Sequence, residues 1–539
     1  MIKTVSSLVA SIAVCLLLVW SIWQWLGEPV SMVDAPSGKV HCMSYTPFRG
    51  SDTPFNPAYV ASPGQIEEDL ALLSKSTSCI RLYSPGQGLD HAVVTAEKDH
   101  MQVLLGAWIG RVDADNEKEI GRVISLARSY PETVRAIIVG NEVLLRNEQS
   151  ASTLAALARR VRAETGKPVT YADVTDFWLK APQDLADSVD FLTVHILPFW
   201  EDHPRSAADG VALVDEAVEQ IHARFPGKPI LIGETGFPGK GRQRGPAIPS
   251  LVSEALYLRS FMVWARDAGI DYNLIEAFDQ PWKRALEGTV GGNWGIYDEA
   301  REAKFPWQGP VSNQPHWRLA AAASLVIALS LTGFCLLARV RGLPLVVVGA
   351  LAAIASVFVV LQAQQSLAAY RNLFEAIVEL YLMAQTLACL LLLLPQIARG
   401  RSADAPAPLA AVAQWCRVPQ AGKWSRSMSL GLLHLSVLAS TLVCSLGLAF
   451  DPRYADFPLA AFTVPAAGFL VLAILNVRRI PGPLRREEAL LVILGLSSAA
   501  ISMLGEGLEN GQAVRWALLV LAILAPFAGT IRDLFARAR

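Results

Sequence analysis

The chain has 539 residues, a formal net charge of −1 and 52% hydrophobic residues. With a positive mean hydropathy, it does not have the composition of a wholly soluble enzyme. The charge is segregated: from about Val30 to Trp317 acids and bases mix as in a globular domain, whereas beyond Trp317 Leu/Ala/Val runs alternate with short polar loops.

In chain order, Met1-Ile2-Lys3 precedes an apolar run from Val5 to Leu26, about twenty residues and long enough to span a bilayer. A cleavable signal competes with a retained anchor. Its best site, Val33-Asp34-Ala35, is followed by Pro36, and Cys15 follows Val14 where a lipoprotein signal wants a small residue. A retained anchor is expected over 1–30.

Apolar strand-like runs then alternate with helical patterns. The predicted strands are Lys39–Tyr45, Cys79–Tyr83, Gln102–Ala107, Ala136–Gly140, Pro168–Tyr171, Asp190–His195, Pro229–Gly233 and Asp271–Ala277. Helical periodicity marks Ile66–Ser74, Glu117–Ser129, Thr153–Glu164, Ala212–Arg224 and Ser250–Asp267. Eight strand–helix units over 31–304 make a (β/α)8 TIM barrel by count and length. A doubly wound sheet is the alternative, but no Gly-rich phosphate loop follows the first strand.

A Pro-rich linker, 305–317, leads into a multi-span region over 318–539. Seven spans are predicted, at 319–338, 343–362, 373–396, 428–450, 457–476, 488–504 and 513–531. Loops holding Arg339 and Arg341, then Arg399, Arg401, Arg417, Lys423 and Arg426, then Arg478, Arg479, Arg485 and Arg486, and the tail with Arg532, Arg537 and Arg539, alternate with base-poor loops at 362–370, 451–456 and 505–511. The basic loops belong inside. Eight spans with both termini inside follow, and the barrel lies outside a cytoplasmic membrane. Only Cys42 and Cys79 lie in the outer domain; two buried thiols are expected, since side-by-side parallel strands rarely offer disulfide geometry.

Two runs carry the chemistry. Ile137-Ile138-Val139-Gly140-Asn141-Glu142 and Pro229-Ile230-Leu231-Ile232-Gly233-Glu234-Thr235-Gly236 each end a buried parallel strand in a glycine and a glutamate. Two carboxylates at barrel-strand ends suit glycosidic-bond chemistry: one donates a proton to the leaving oxygen and the other attacks the anomeric carbon. Unrelated ion-paired glutamates are the alternative.

Glu142 ends the fourth predicted strand and Glu234 the seventh. That placement, with Gly-Asn-Glu-Val and Gly-Glu-Thr-Gly-Phe-Pro, resembles glycoside hydrolase family 17, the β-1,3-glucanases and β-1,3-glucanosyltransferases. Val40–Arg49, Arg81-Leu82-Tyr83-Ser84, Leu192–Trp200 and Glu276–Lys283 look like the family's first, second, sixth and eighth strands. The resemblance implies that Glu142 is the acid/base, with a pKa raised by burial and by the Glu234 charge, and that Glu234 is the nucleophile. It implies sugar contacts from Asn141, a hydrogen bond from Tyr83 to the nucleophile, and a basic Lys283. Gln280 stands where plant members carry glutamate, and Glu276 is expected to supply that carboxylate. His195 reads either as a sugar contact or as a hydrogen-bonded strand-end histidine. Tyr45, Phe177, Trp178, Phe199, Trp200, Trp282 and Trp294 are expected at the rim, where flat aromatics face sugar C–H groups; core packing is the bland alternative. No cofactor, metal or nucleic-acid partner is expected.

Asp113-Ala114-Asp115 reads as a surface turn rather than a nucleotide-sugar site. Glu375 and Glu379 are the best polar candidates among the spans, with interfacial placement beside Arg371 the simpler reading. An anchored family 17 domain followed by seven spans is similar to rhizobial membrane proteins of cyclic β-(1,3),(1,6)-glucan synthesis. The similarity implies a bacterial inner-membrane protein with a periplasmic catalytic domain. Its expected partners are β-1,3-glucan, membrane lipid and a separate glucan synthase. It favours transglycosylation, with the loop Phe237–Pro249 shaping the acceptor side; an endo-β-1,3-glucanase and a non-catalytic glucan-binding assembly subunit are the alternatives.

Overall fold

The computed structural model describes residues 2–400, 403–417, 424–476 and 486–527. Two compact units result: 30–311, and a second built from 1–29 with 312–539.

In the first unit eight parallel strands close in sequence order into a barrel. They are β1 (Met43–Ser44), β2 (Cys79–Leu82), β3 (Gln102–Ala107), β4 (Val134–Asn141), β5 (Val169–Val174), β6 (Leu192–His195), β7 (Ile230–Thr235) and β8 (Asp271–Leu274). The predicted barrel is therefore present. Its first strand is only two residues long, with Val40 joining through an isolated bridge to Thr77.

Strand residues that point outward pack under the helices in one large core. Inside, Cys42, Cys79, Leu104, Ala136, Ile138, Ala172 and Leu231 form a separate apolar cluster. Two residues further along, after Cys42 and Cys79, the inward positions turn polar: Ser44 on β1 and Arg81 on β2, joined by Asn273 on β8, are each about 1% exposed or less. Period-two alternation thus makes a dry plug below and a polar floor above.

Cys42 and Cys79 form a disulfide, with Cα atoms 4.4 Å apart. The expectation of two thiols is corrected here. Cys42 precedes β1 and Cys79 opens β2, so both point inward at one level of the barrel, at a Cα separation a disulfide spans.

The second unit is helical. Residues Ile2–Leu26 (α1) pack against Trp317–Leu337 (α2) and Leu343–Ala369 (α3). Buried Trp23 donates its indole N–H to Ser324 Oγ at 2.8 Å, and a Cβ on Gly349 of α3 would lie 3.1 Å from Ser11 Cβ. Small residues let these helices approach closely. Leu373–Ala398 (α4), Leu409–Arg417 (α5), Arg426–Phe450 (α6), Leu459–Leu475 (α7), Arg486–Glu506 (α8) and Gly511–Leu524 (α9) follow.

Six helices, α1 to α4, α6 and α8, are long and apolar enough to cross a membrane, whereas α7 and the stretch from Gly511 to Phe527 are shorter apolar helices. The eight-span expectation thus meets six long helices and two shorter ones among the described residues. Arg401, Lys423, Arg478, Arg479, Arg485, Arg532, Arg537 and Arg539 lie outside the described residues. Glu375 pairs with Arg371 at 2.8 Å, and Arg371 also reaches Asp451 at 3.3 Å; Glu379 accepts from Ser366 Oγ at 2.5 Å.

The disulfide closes a loop of 37 residues, so Cys79→Ser is expected to destabilise the barrel by about 2–4 kcal/mol. That corresponds to a fall of roughly 5–15 °C in the barrel's thermal midpoint. Peptide mapping of the unreduced full-length protein should recover Cys42 and Cys79 cross-linked; two free thiols would refute the pairing.

Candidate active site

Local backbone geometry explains why each glutamate follows a glycine. Gly140 has φ +91°, and a Cβ there would fall 2.8 Å from Val143 Cγ2. It lets the chain turn off β4, so that Glu142, itself at φ +52°, points over the barrel mouth. At Gly233 a Cβ would meet Thr193 Cγ2 at 2.3 Å. Only hydrogen fits where β7 crowds β6, and the next residue is Glu234.

Glu234 is buried, and its Oε1 accepts from Arg81 Nη1 at 3.0 Å and from Tyr83 Oη at 2.8 Å. Arg81 also donates to the Gly233 carbonyl at 2.7 Å and to Asn141 Oδ1 at 2.5 Å. Burial, reinforced by the Glu234 charge, pushes the Tyr83 phenol well above its usual range, so it stays a donor. Arg81 is the functional residue that motif reasoning missed. A lone arginine inside the all-buried strand Cys79–Leu82 is the signal, because a buried guanidinium must have partners.

His195 joins the two carboxylates. Its Nδ1 lies 3.0 Å from Glu142 Oε1, and its Nε2 lies 3.4 Å from Arg81 Nη1. Since Arg81 has only protons to offer, Nε2 accepts in a neutral ring and Nδ1 carries the hydrogen. Glu142 Oε1 is therefore an acceptor, and Oε2 is the oxygen left to carry a transferable proton. One donor atom each from Glu142, His195 and Glu234 lies within 4.8 Å of the others. That spacing also admits a metal, but the Arg81 guanidinium already holds two of the three donors and brings its own positive charge.

Burial pushes the Glu142 carboxyl up, yet the His195 hydrogen bond and the charges of Arg81 and Arg146 outweigh it and hold the group below its ordinary range. The expectation of a raised value is corrected for the open cleft. The Glu234 charge that was to raise it is matched by Arg81 at 3.0 Å.

Glu276 is buried and accepts from Lys283 Nζ at 2.6 Å. Burial, opposed by Lys283, pushes its carboxyl up to about 7. Its Oε2 and the indole nitrogen of Trp294 are buried without hydrogen-bond partners among the described residues, and sugar hydroxyls are groups of the kind that would satisfy them. Gln280 is enclosed and accepts from Trp282 Nε1 at 2.9 Å. Half-buried Trp282 packs edge-on against Phe48 and Phe55, and Phe55 is 68% exposed.

Two predicted sugar contacts are corrected. Tyr45 is fully enclosed and donates to Asp69 at 3.1 Å, and Phe199 is fully enclosed among Trp200, Phe237 and Trp294. Trp178 is likewise core, bonded to the Thr193 carbonyl, whereas Phe177 is half-buried beside Lys180. Asp113 and Asp115 open the helix Asp113–Ser129, a helix start rather than a turn. In the loop after β7, Arg242 is buried and Arg244 bonds the Phe199 carbonyl. Behind that loop, Lys304 bridges fully buried Glu254 at 2.9 Å and Asp279 at 3.0 Å.

Residues 42–295 match the family described as the BtgE/BtgC glycoside hydrolase domain. The barrel is similar to the glycoside hydrolase domain that this family describes. A probable beta-glucosidase btgE of Aspergillus fumigatus is 26% identical over 264 residues, covering 48% of this chain and 45% of that protein. Glucan 1,3-beta-glucosidase of Candida albicans is 26% identical over 262 residues, covering 44% and 84%. The crystal structure of the family 17 β-1,3-glucanosyltransferase from Rhizomucor miehei is 24% identical, covering 49% of this chain and 95% of that one at a TM-score of 0.44. The chain spans under half the length of the Aspergillus relative. The relatives' shared glycosidase character supports an enzyme here.

Burial, opposed by Lys304, pushes the Glu254 carboxyl up to about 8. A carboxyl raised on folding contributes fully below its unfolded value near 4.5, and its contribution is lost as pH rises through the folded value. Barrel stability is therefore expected to fall between pH 5 and 8, and Glu254→Gln should flatten that slope. Thermal midpoints at the two pH values check this, and an unchanged slope in the variant would refute it.

Proposed function

We propose that this protein is a membrane-anchored retaining β-1,3-glucan transglycosylase that remodels periplasmic β-glucan by elongation, branching or cyclisation. The observation carrying the reading is the opposed pair, with one oxygen each of Glu142 and Glu234 within 4.8 Å. Retaining enzymes keep their carboxyls about 5–5.5 Å apart, too close to admit a water between carboxylate and sugar.

With Oε1 of Glu234 held by Arg81 and Tyr83, Oε2 is free to attack the anomeric carbon. As that bond forms, the glycosidic bond breaks and Glu142 passes its proton to the departing oxygen. Glu142 then removes a proton from the incoming hydroxyl, which displaces Glu234 from the sugar. Water as acceptor gives hydrolysis; a sugar hydroxyl gives transfer. The Glu142 side chain is 24% exposed, and a bound sugar covers it, raising its pKa toward that of a donor.

Similarity to the glucan 1,3-beta-glucosidase of Candida albicans and to a probable glucan endo-1,3-beta-glucosidase of Aspergillus clavatus supports β-1,3-glucan as substrate class. The probable glucan endo-1,3-beta-glucosidase btgC of Aspergillus clavatus also favours the second reading, a hydrolase. Transfer is preferred because an enzyme tethered at a membrane suits remodelling of a nascent chain. The bases of the inner loops and the Cys42–Cys79 disulfide, which persists in oxidising compartments, support a barrel outside the cytoplasm. Packing of α1 between α2 and α3 supports its retention as an anchor.

With millimolar reduced β-1,3-oligosaccharides, the detergent-solubilised full-length protein is expected to give longer products or rings, and only shorter, ring-free products would return it to the hydrolases. Glu234→Gln should abolish turnover while preserving oligosaccharide binding, and Glu142→Gln should impair substrates with poor leaving groups far more than activated aryl glucosides. Ordinary activity in Glu234→Gln would remove the nucleophile assignment.

For the membrane arrangement, periplasmic reporters are expected to be active at Ser312, Tyr454 and Asn510. Cytoplasmic ones should be active at Ser402 and Pro483, which lie outside the described residues. One loop of opposite sense would break the eight-span arrangement.

A further inference from the structure

We infer that Trp108 is a glucosyl-binding platform on the leaving-group and acceptor side of the scissile bond, an inference that rests on the glycosidase reading above. Trp108 directly follows β3, whose last residue Ala107 pairs with Val139 of β4, so its ring stands at the barrel mouth beside the strand that leads into Glu142. It is 44% exposed. The Arg146 guanidinium sits 4.2 Å from the ring centroid.

That arginine is itself fixed. It donates to Glu148 Oε2 at 2.7 and 2.9 Å and to the Ile109 carbonyl at 2.9 Å, and also to the carbonyl of Asn141, the residue before the proton donor. The loop beneath is tied as firmly. The Trp108 amide donates to Glu119 at 3.1 Å, Asn116 exchanges two 2.8 Å bonds with the Gly110 backbone, and Gln149 donates to the same carbonyl at 3.0 Å.

An exposed indole costs solvation free energy, and mobile exposed side chains need no such bracing. A rigid ring against a guanidinium, flanked by Glu148 and Gln149, has the make-up of a sugar site: one flat apolar face with planar hydrogen-bonding groups at its edge. Its side follows from the bond between Arg146 and Asn141. The oxygen that Glu142 protonates belongs to the departing sugar, so a platform fixed to the base of that glutamate serves the departing or incoming unit.

The test uses full-length protein in detergent, labelled at Glu234 with an activated 2-deoxy-2-fluoroglucoside so that only the acceptor side is open. Release of the label is then followed against added β-1,3-linked glucose disaccharide. Trp108→Leu is expected to raise the half-saturating disaccharide concentration about three- to tenfold, the range a lost ring contact gives, with Trp108→Phe restoring most of it. The platform is overturned by an unchanged half-saturation in Trp108→Leu, by a Phe variant as impaired as Leu, or by wild-type release that the disaccharide does not accelerate. Failure of the wild-type protein to label at Glu234 would instead overturn the parent reading, and the platform with it.

Discussion

A buried guanidinium organises this active site. Arg81 occupies an inward position of β2, where the layer below is a dry apolar plug, and a cation without partners there would cost several kcal/mol. Its hydrogen bonds go to the Glu234 carboxylate, the carbonyl of Gly233 and the amide of Asn141. It thereby joins the ends of β4 and β7, the strands that carry the two glutamates. It also sets the His195 tautomer, and through it the oxygen on which Glu142 can hold a proton.

Opposite protonation roles for two neighbouring carboxyls therefore need not come from different degrees of burial. Glu234 faces a permanent cation and a phenol that holds its proton, two donors that favour a carboxylate acceptor. Glu142 accepts from the His195 imidazole and is partly open to water, so its proton affinity, held low in the empty cleft, rises when a substrate covers it. A site of this kind is assembled by the sugar rather than held ready in the empty cleft.

Much of this was legible in the chain. A run of β-branched residues closing on Gly-Asn-Glu or Gly-Glu marks a strand end and a side chain in the cleft, because glycine is there to permit a turn or a close approach. Less legible was which way a side chain faces. Tyr45 and Phe199 lie beside correctly placed strands, yet their rings turn into the core, since aromatic residues suit a rim and an interior equally. The disulfide was missed because strand neighbours fix a distance but not the direction of two Cβ bonds. Short helices such as Asp90–Lys98 and Thr175–Lys180 escaped because six to nine residues hold too few turns for a period to show. Among the described residues, α7 is shorter than hydropathy alone implied.

The barrel is an insertion. Its chain enters after α1 and leaves before α2, with Val30 and Val311 bridged where the two ends meet. The bond from Trp23 to Ser324 therefore joins residues 301 apart in sequence. Synthesis at about 5–20 residues per second separates the making of those partners by roughly 15–60 s. Throughout that interval α1 must persist alone, with the Trp23 indole and Cys15 exposed to whatever surrounds the emerging chain. Biogenesis of the helical unit is thus timed by its enzyme, whose whole length must be made before the first helix finds its place.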